Sequence, residues 1–210
     1  PHTFNWIAAQ SHTIATDSIQ SGAAGTRYLY TSWSDAGTRT HTITPLVTGV
    51  TVTASFTTQY FLTMIANSGG TVTPASNWFN AGSGVLITGI PDNGYIFSSW
   101  TGVGSGAYTG NTNPQNITLG GPVTQTGNFV QPTVNVTIQT IPPGRTFRVD
   151  NGSLQTNTFT FTYGPGDVPH TLTTDSIQVQ SSTTRFVWTS WSDGGARSHT
   201  MVYPGKDTTI

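Results

Sequence analysis

Apolar and polar residues alternate along this chain in short bursts. "GTVTP" (Gly70–Pro74), "GVLITGI" (Gly84–Ile90) and "GYIFSSW" (Gly94–Trp100) each carry a two-residue period, and Gly-Gly, Ala-Gly-Ser-Gly and Pro-Asp-Asn-Gly separate them. A two-residue period bounded by turn residues every ~8–12 positions predicts short strands joined by tight turns. "VNVTIQTIPPGRTFRVDNGS" (Val134–Ser153) reads the same way, as two alternating runs around Pro-Pro-Gly with a second turn at Asp150-Asn151-Gly152. The expected fold class is all-β: tandem small antiparallel sandwich modules with essentially no helix.

Composition strengthens that expectation. Charged residues make up 7% of the 210-residue chain, against about 25% in ordinary globular proteins. There is no Glu, and Lys206 is the sole lysine, so the residues that populate exposed helix faces are missing. Thr, about a fifth of all residues, joins Val, Ile, Phe, Tyr and Trp in a β-branched and aromatic pool suited to pleated sheets. A net charge of −1 offers no basic footprint for phosphate backbones, which argues against a nucleic-acid partner. No apolar run approaches the ~20 residues of a membrane-spanning helix. Without cysteine there are no disulfides, thiol nucleophiles or thiolate metal sites. A chain opening at Pro1 without methionine or signal peptide is expected to be processed or excised from something longer.

One unit occurs twice. "SHTIATDSIQSGAAGTRYLYTSWSDAGTRTHTI" (Ser11–Ile43) aligns without a gap on "PHTLTTDSIQVQSSTTRFVWTSWSDGGARSHTM" (Pro169–Met201), with 18 of 33 positions identical at an offset of 158 residues. The second copy has a lead-in, Val134–Val149, that the first lacks. The first continues into Val50–Phe56, where the second stops at Ile210. Each end is therefore expected to leave a sheet edge open, and an open edge attracts another strand. For a natural subunit this predicts head-to-tail complementation into a filament; for a fragment, the missing strands belong to the parent chain.

The segment between the copies resembles the divergent B-repeat family of bacterial surface proteins, through Gly-Gly-x-Val-x-Pro, Ala-Gly-Ser, Gly-Tyr-x-Phe-x-x-Trp and a closing Asn-Phe. The lead-in "VTIQTIPPGRTFRVDNG" with "YGPGDVPHTLTT" is similar to PEGA-type surface modules. The resulting division is a PEGA-like unit over 1–56 lacking its first strands, a B-repeat-like unit over 57–130, a linker at 131–133, and a second PEGA-like unit over 134–210 lacking its last strand. These resemblances imply a secreted or cell-surface bacterial repeat protein and no reaction.

The thrice-repeated tryptophan, Trp33, Trp100 and Trp191, is expected in the core. On a regular strand Leu29, Thr31 and Trp33 face one way and Tyr28, Tyr30 and Ser32 the other. Trp6, Trp78 and Trp188 lie outside that repeated position and are candidates for an exposed platform that stacks on sugar rings. His12, Asp17, Arg27, Asp35, Arg39 and His41 recur in register as His170, Asp175, Arg185, Asp193, Arg197 and His199. We expect a structural network in each unit, with Asp35 and Asp193 at the head of a turn and an arginine as ion-pair partner.

A catalytic reading lacks parts. Glycoside hydrolysis needs two flanking carboxylates, one of raised pKa, and all eight acidic residues are Asp, mostly in turns. A triad from Ser32 or Ser34, His41 and Asp17 has no nucleophile elbow. Ligand spacing for metals is poor; calcium between Asp-bearing turns is the best option and is not adopted. Lys206 is poorly placed for an internal isopeptide. No cofactor and no enzymatic activity are expected. The expected role is a structural or adhesive stalk, rod or filament, with neighbouring copies or modules as partners and no membrane span; the alternative is a carbohydrate-binding module contacting surface glycans.

Overall fold

The computed structural model describes residues 2–210, and among them there are strands and turns but no helix. Two compact units divide the chain: one comprises residues up to Pro91 with Phe97–Phe129, the other Asp92–Ile96 with Val130–Ile210.

The first unit contains β1 (His12–Ala15), β2 (Ile19–Ser21), β3 (Thr26–Trp33), β4 (Thr40–Ile43), β5 (Ala54–Ala66), β6 (Gly70–Thr73), β7 (Asn77–Asn80), β8 (Gly84–Pro91), β9 (Ile96–Gly104), β10 (Gln115–Thr118) and β11 (Val123–Val130). β1 pairs with β4, and β10-β8-β6 form a three-stranded antiparallel sheet. The largest sheet has the order β2-β3-β5-β11-β9, with β7 also on β5.

β5 organises this unit because it is long enough to serve two neighbours in succession. Its first half, Ala54–Tyr60, pairs antiparallel with β3, and its second half, Leu62–Ala66, pairs parallel with β11. One strand thus runs unbroken from the first copy of the duplicated unit into the segment that follows, across the 56/57 junction.

The core here follows the two-residue period directly. On β8, Val85 and Ile87 are buried while Leu86 is exposed, and on β11 Val123, Gln125, Gly127 and Phe129 face inward. Trp100, fully buried, packs among Leu62, Val85, Ile87, Ile117, Leu119 and Val123. Gly127 is required beside it: a Cβ there would lie 2.6 Å from Val72 Cγ1 and 3.2 Å from the Trp100 ring.

The second unit contains β12 (Val134–Ile138), β13 (Arg148–Val149), β14 (Phe159–Tyr163), β15 (His170–Thr173), β16 (Ile177–Val179), β17 (Arg185–Val187), β18 (Ser198–Met201) and β19 (Thr208–Thr209). Its sheets are β14-β12-β19, β13-β15-β18 and β16-β17. Val134, Val136, Ile138, Phe147, Tyr163, Leu172, Trp191 and Met201 form the core. The lead-in strands therefore supply half of the apolar mass around Trp191.

The repeated tryptophans differ in burial. Trp191 is 7% exposed and Trp100 fully buried, whereas Trp33 is only half-buried. The placement of Trp33 in the core is thus corrected. Its ring lies beside those of Tyr30 and His41, at 6.3 and 5.8 Å between centroids.

A second correction concerns faces. Strict alternation separates Tyr30 from Trp33, yet their rings lie 6.3 Å apart. The β3–β5 register jumps between Tyr30 and Ser32, leaving Thr31 as an extra residue. A bulge of this kind shifts the alternation by one and brings Tyr30 and Trp33 to the same side.

Candidate functional site

The clearest polar constellation is the one the sequence duplicates. Its base is the turn after the aromatic strand, where Asp35 Oδ1 accepts the Gly37 N–H at 3.1 Å and Asp193 Oδ1 accepts the Gly195 N–H at 2.9 Å. An aspartate capping its own turn frees its second oxygen. The middle residue has positive φ in both copies, Ala36 at 60° and Gly194 at 78°.

The free oxygen meets histidine. His41 Nε2 lies 2.8 Å from Asp35 Oδ2, and His199 Nε2 lies 2.8 Å from Asp193 Oδ2. The other ring nitrogen donates to a carbonyl, His41 Nδ1 to Thr38 O and His199 Nδ1 to Ala196 O, both at 2.7 Å. Two acceptors around one imidazole are fully satisfied only by the doubly protonated ring. Accordingly the hydrogen bond to Asp35 raises the His41 pKa above its usual 6.5, and the bond to His41 lowers that of Asp35 below 3.8. Gly37 and Gly195 leave room for the ring, since a Cβ would lie 2.4 and 2.3 Å from the nearest imidazole atom.

Tryptophan and arginine close the constellation. Trp33 Nε1 donates to Arg39 O at 3.2 Å and Trp191 Nε1 to Arg197 O at 3.3 Å. Arg39 Nη1 donates to Thr16 O at 2.8 Å and Arg197 Nη1 to Thr174 O at 2.7 Å. The expected Asp–Arg ion pair is therefore corrected. A six-residue turn returns His41 onto Asp35, while the arginine points away and ties the turn to the connection between the first two strands of the copy. Among the described residues every ion pair is His–Asp, including His170–Asp150.

The remaining duplicated residues do not join this cluster. Asp17 and Asp175 are exposed. Arg27 donates from Nε to Gln59 Oε1 at 2.8 Å and lies 4.5 Å from the centre of the Trp78 ring, whereas Arg185 is exposed. His12 stacks on Trp6 at 4.1 Å with Nε2 buried and unpaired, while His170 bonds to Asp150 and packs between Phe161 and Tyr163. Burial raises the Asp150 pKa, but the bonds from His170 and the Thr171 N–H outweigh it and hold the carboxyl below its usual range. Asp150 was readable in the sequence only as a turn residue; a partner 20 positions away leaves no local signal.

Of the candidate platform residues, Trp6 lies in a stack with Phe4 and His12, and Trp78 packs against Phe61 and Arg27. Trp188 is half-buried on the wall of a groove of about 690 Å³, together with Arg145, Asp175, Gln178, Phe186 and Trp191. Sequence reasoning missed this groove, because its walls come from four separate segments. No group of three or more metal-ligating side chains occurs among the described residues.

The same turn contacts built twice in an all-β chain define a β-repeat protein. Residues 60–133 match the divergent InlB B-repeat domain, a family typical of bacterial surface proteins. No curated protein and no solved structure matches the chain. No helix among the described residues is long and apolar enough to cross a membrane.

Proposed function

We propose that the chain is a structural or adhesive segment of an exported bacterial surface protein, in which PEGA-like units over 1–56 and 134–210 alternate with the B-repeat-like unit and serve as a stalk or rod rather than an enzyme. The observation that carries this reading is the duplication of one set of turn contacts, Asp–His, His–carbonyl, Trp–carbonyl and Arg–carbonyl, at a fixed offset. Each contact ends on the protein's own backbone or on a neighbouring side chain, which suits a module that must hold its shape. Arrays of such modules are quasi-one-dimensional, each contacting its neighbours, and their length grows with module number.

The glycan alternative now leans on Trp188, since Trp6 and Trp78 already pack on neighbouring side chains. The stalk reading is tested by small-angle scattering on concatemers of one, two and three copies of the chain. The maximum dimension is expected to rise in equal steps per copy; a dimension growing only as the cube root of mass would overturn it.

A further inference from the structure

The B-repeat-like unit is entered and left on neighbouring strands. The chain comes in along β5 and goes out along β11, and the two run parallel with five residues in register, Leu62–Ala66 against Val123–Gly127. The Asn67 N–H extends this ladder by donating to Gly127 O at 3.0 Å. Tension along the chain pulls the start of β5 one way and the end of β11 the other. In parallel neighbours these opposed pulls slide one strand past the other, so the ladder bonds, which lie across the strands, are loaded together. Had the two strands been antiparallel, the same tension would open them from one end, bond by bond.

Sliding is opposed by more than backbone bonds. β11 lies between β5 and β9, and on β5 the Met64 N–H is held by Ser76 Oγ at 2.9 Å. A slip of one residue would turn Val123, Gln125, Gly127 and Phe129 away from the face on which they are buried. Gln125 would also release the N–H and C=O of Tyr108, both of which it serves. A slip of two would restore the faces but bring the Cβ of Gln125 or Phe129 into the place of Gly127, against Val72 and the Trp100 ring. Asn128 adds a lock at the end of the ladder. Its Oδ1 accepts from Asn67 Nδ2 at 2.7 Å, and its Nδ2 donates to Ser99 O at 3.2 Å and to Thr101 Oγ1 at 3.0 Å.

We propose that the B-repeat-like unit is a tension-bearing module, in which the β5–β11 ladder is loaded in shear and holds when the chain is pulled. That tension reaches the unit rests on the stalk reading; the parallel register does not. Resistance of this kind is directional, because forced unfolding follows the barrier along the pulled direction and not the equilibrium stability. The segment that matches the B-repeat family, 60–133, opens inside β5 and closes just past β11, so it starts and finishes on the two loaded strands. The first half of β5, Ala54–Tyr60, stays paired with β3 and moves with β5 as one body.

The test pulls single molecules of the full chain between two introduced thiols, which are unique because the sequence has no cysteine. Thr51→Cys with Thr133→Cys places the anchors before β5 and after β11, whereas Ser68→Cys with Thr133→Cys places them beyond the same end of both strands. All three residues are exposed, and substitutions at such positions shift stability little. The first pair of anchors shears the ladder and the second unzips it, with residues before 51 and after 133 off the load path in both. At equal loading rate the shear pair is expected to unfold at a force at least about twofold higher than the unzip pair. Both variants are expected to keep the wild-type denaturant midpoint, so that the difference is one of direction and not of stability. Equal forces, or a higher force for the unzip pair, would overturn the inference. Strong resistance to shear in a chain whose concatemers collapse would keep the load-bearing ladder and remove the stalk; extended concatemers with equal forces would do the reverse.

Discussion

Asp193 and His199 stand in the same relationship as Asp35 and His41, an Nε2 to Oδ2 distance of 2.8 Å across a turn of six residues. Both pairs keep the second carboxylate oxygen on a glycine N–H and the second ring nitrogen on a carbonyl. The pair is therefore a clamp on the turn that follows the aromatic strand, built twice. Residue identity is held where a side chain is needed and released where only backbone is used: the carbonyl facing Nδ1 belongs to Thr38 in one copy and Ala196 in the other.

The clamp has a defined pH window. The His41 pKa is raised by Asp35, so its contribution is full below about 6.5 and is lost as pH rises through the folded-state value. The Asp35 pKa is lowered by His41, so its contribution is present above about 3.8 and is lost as pH falls through its own folded-state value. The melting-temperature difference between wild type and Asp35→Asn is expected to be largest between these limits and to narrow on both sides. A difference independent of pH from 3 to 9 would contradict the assignment.

Gly195 has space only for hydrogen, because the His199 ring occupies the place of its Cβ. Gly195→Ala is expected to cost roughly 1–3 kcal/mol by overpacking and to abolish the His199 ring N–H signal. Gly194→Ala, one residue earlier, has no atom within 4 Å and only its φ of 78° to oppose it. It is expected to cost about 1 kcal/mol, since Ala36 already adopts that conformation in the first copy. Equal losses at the two glycines in denaturant unfolding would refute the ring-space account.

The repeated tryptophans should separate by burial. Trp100→Ala and Trp191→Ala are expected to cost about 3–5 kcal/mol, as large buried side chains do, and Trp33→Ala clearly less, because its ring is half-exposed. Chemical denaturation of the three variants, read by signals from the unit concerned, checks the order. A Trp33 loss as large as that at Trp191 would show that burial is not what sets the cost.

Gln125 is the fully buried polar side chain of the first unit. Its Nε2 donates to Tyr108 O at 2.6 Å and its Oε1 accepts the Tyr108 N–H at 3.1 Å, so it replaces a strand for that residue. Gln125→Leu keeps the volume but leaves both backbone groups unpaired, with an expected cost of about 2–3 kcal/mol. Unchanged stability, together with unchanged amide exchange at Tyr108, would rule this out.

Sequence by itself determined the all-β character, because a chain without Glu and with a single Lys, rich in Thr and punctuated by Gly and Pro, has few residues for helix surfaces and many for pleated ones. It also determined the duplication and the residues used twice, since 18 identities over 33 positions mark the polar residues as shared. The partners were decided by tertiary structure. Asp35 meets histidine rather than arginine because the turn, and not residue charge, sets which side chain returns to the carboxylate. Tyr30 and Trp33 share a face because a bulge appears only when β3 is laid against β5. The groove at Trp188 exists because four segments far apart in sequence, around 139–145, 174–178, 186–192 and 209–210, meet there. Periodicity is a property of one strand, whereas register, bulges and open edges belong to pairs of strands, and only the folded arrangement brings those pairs together.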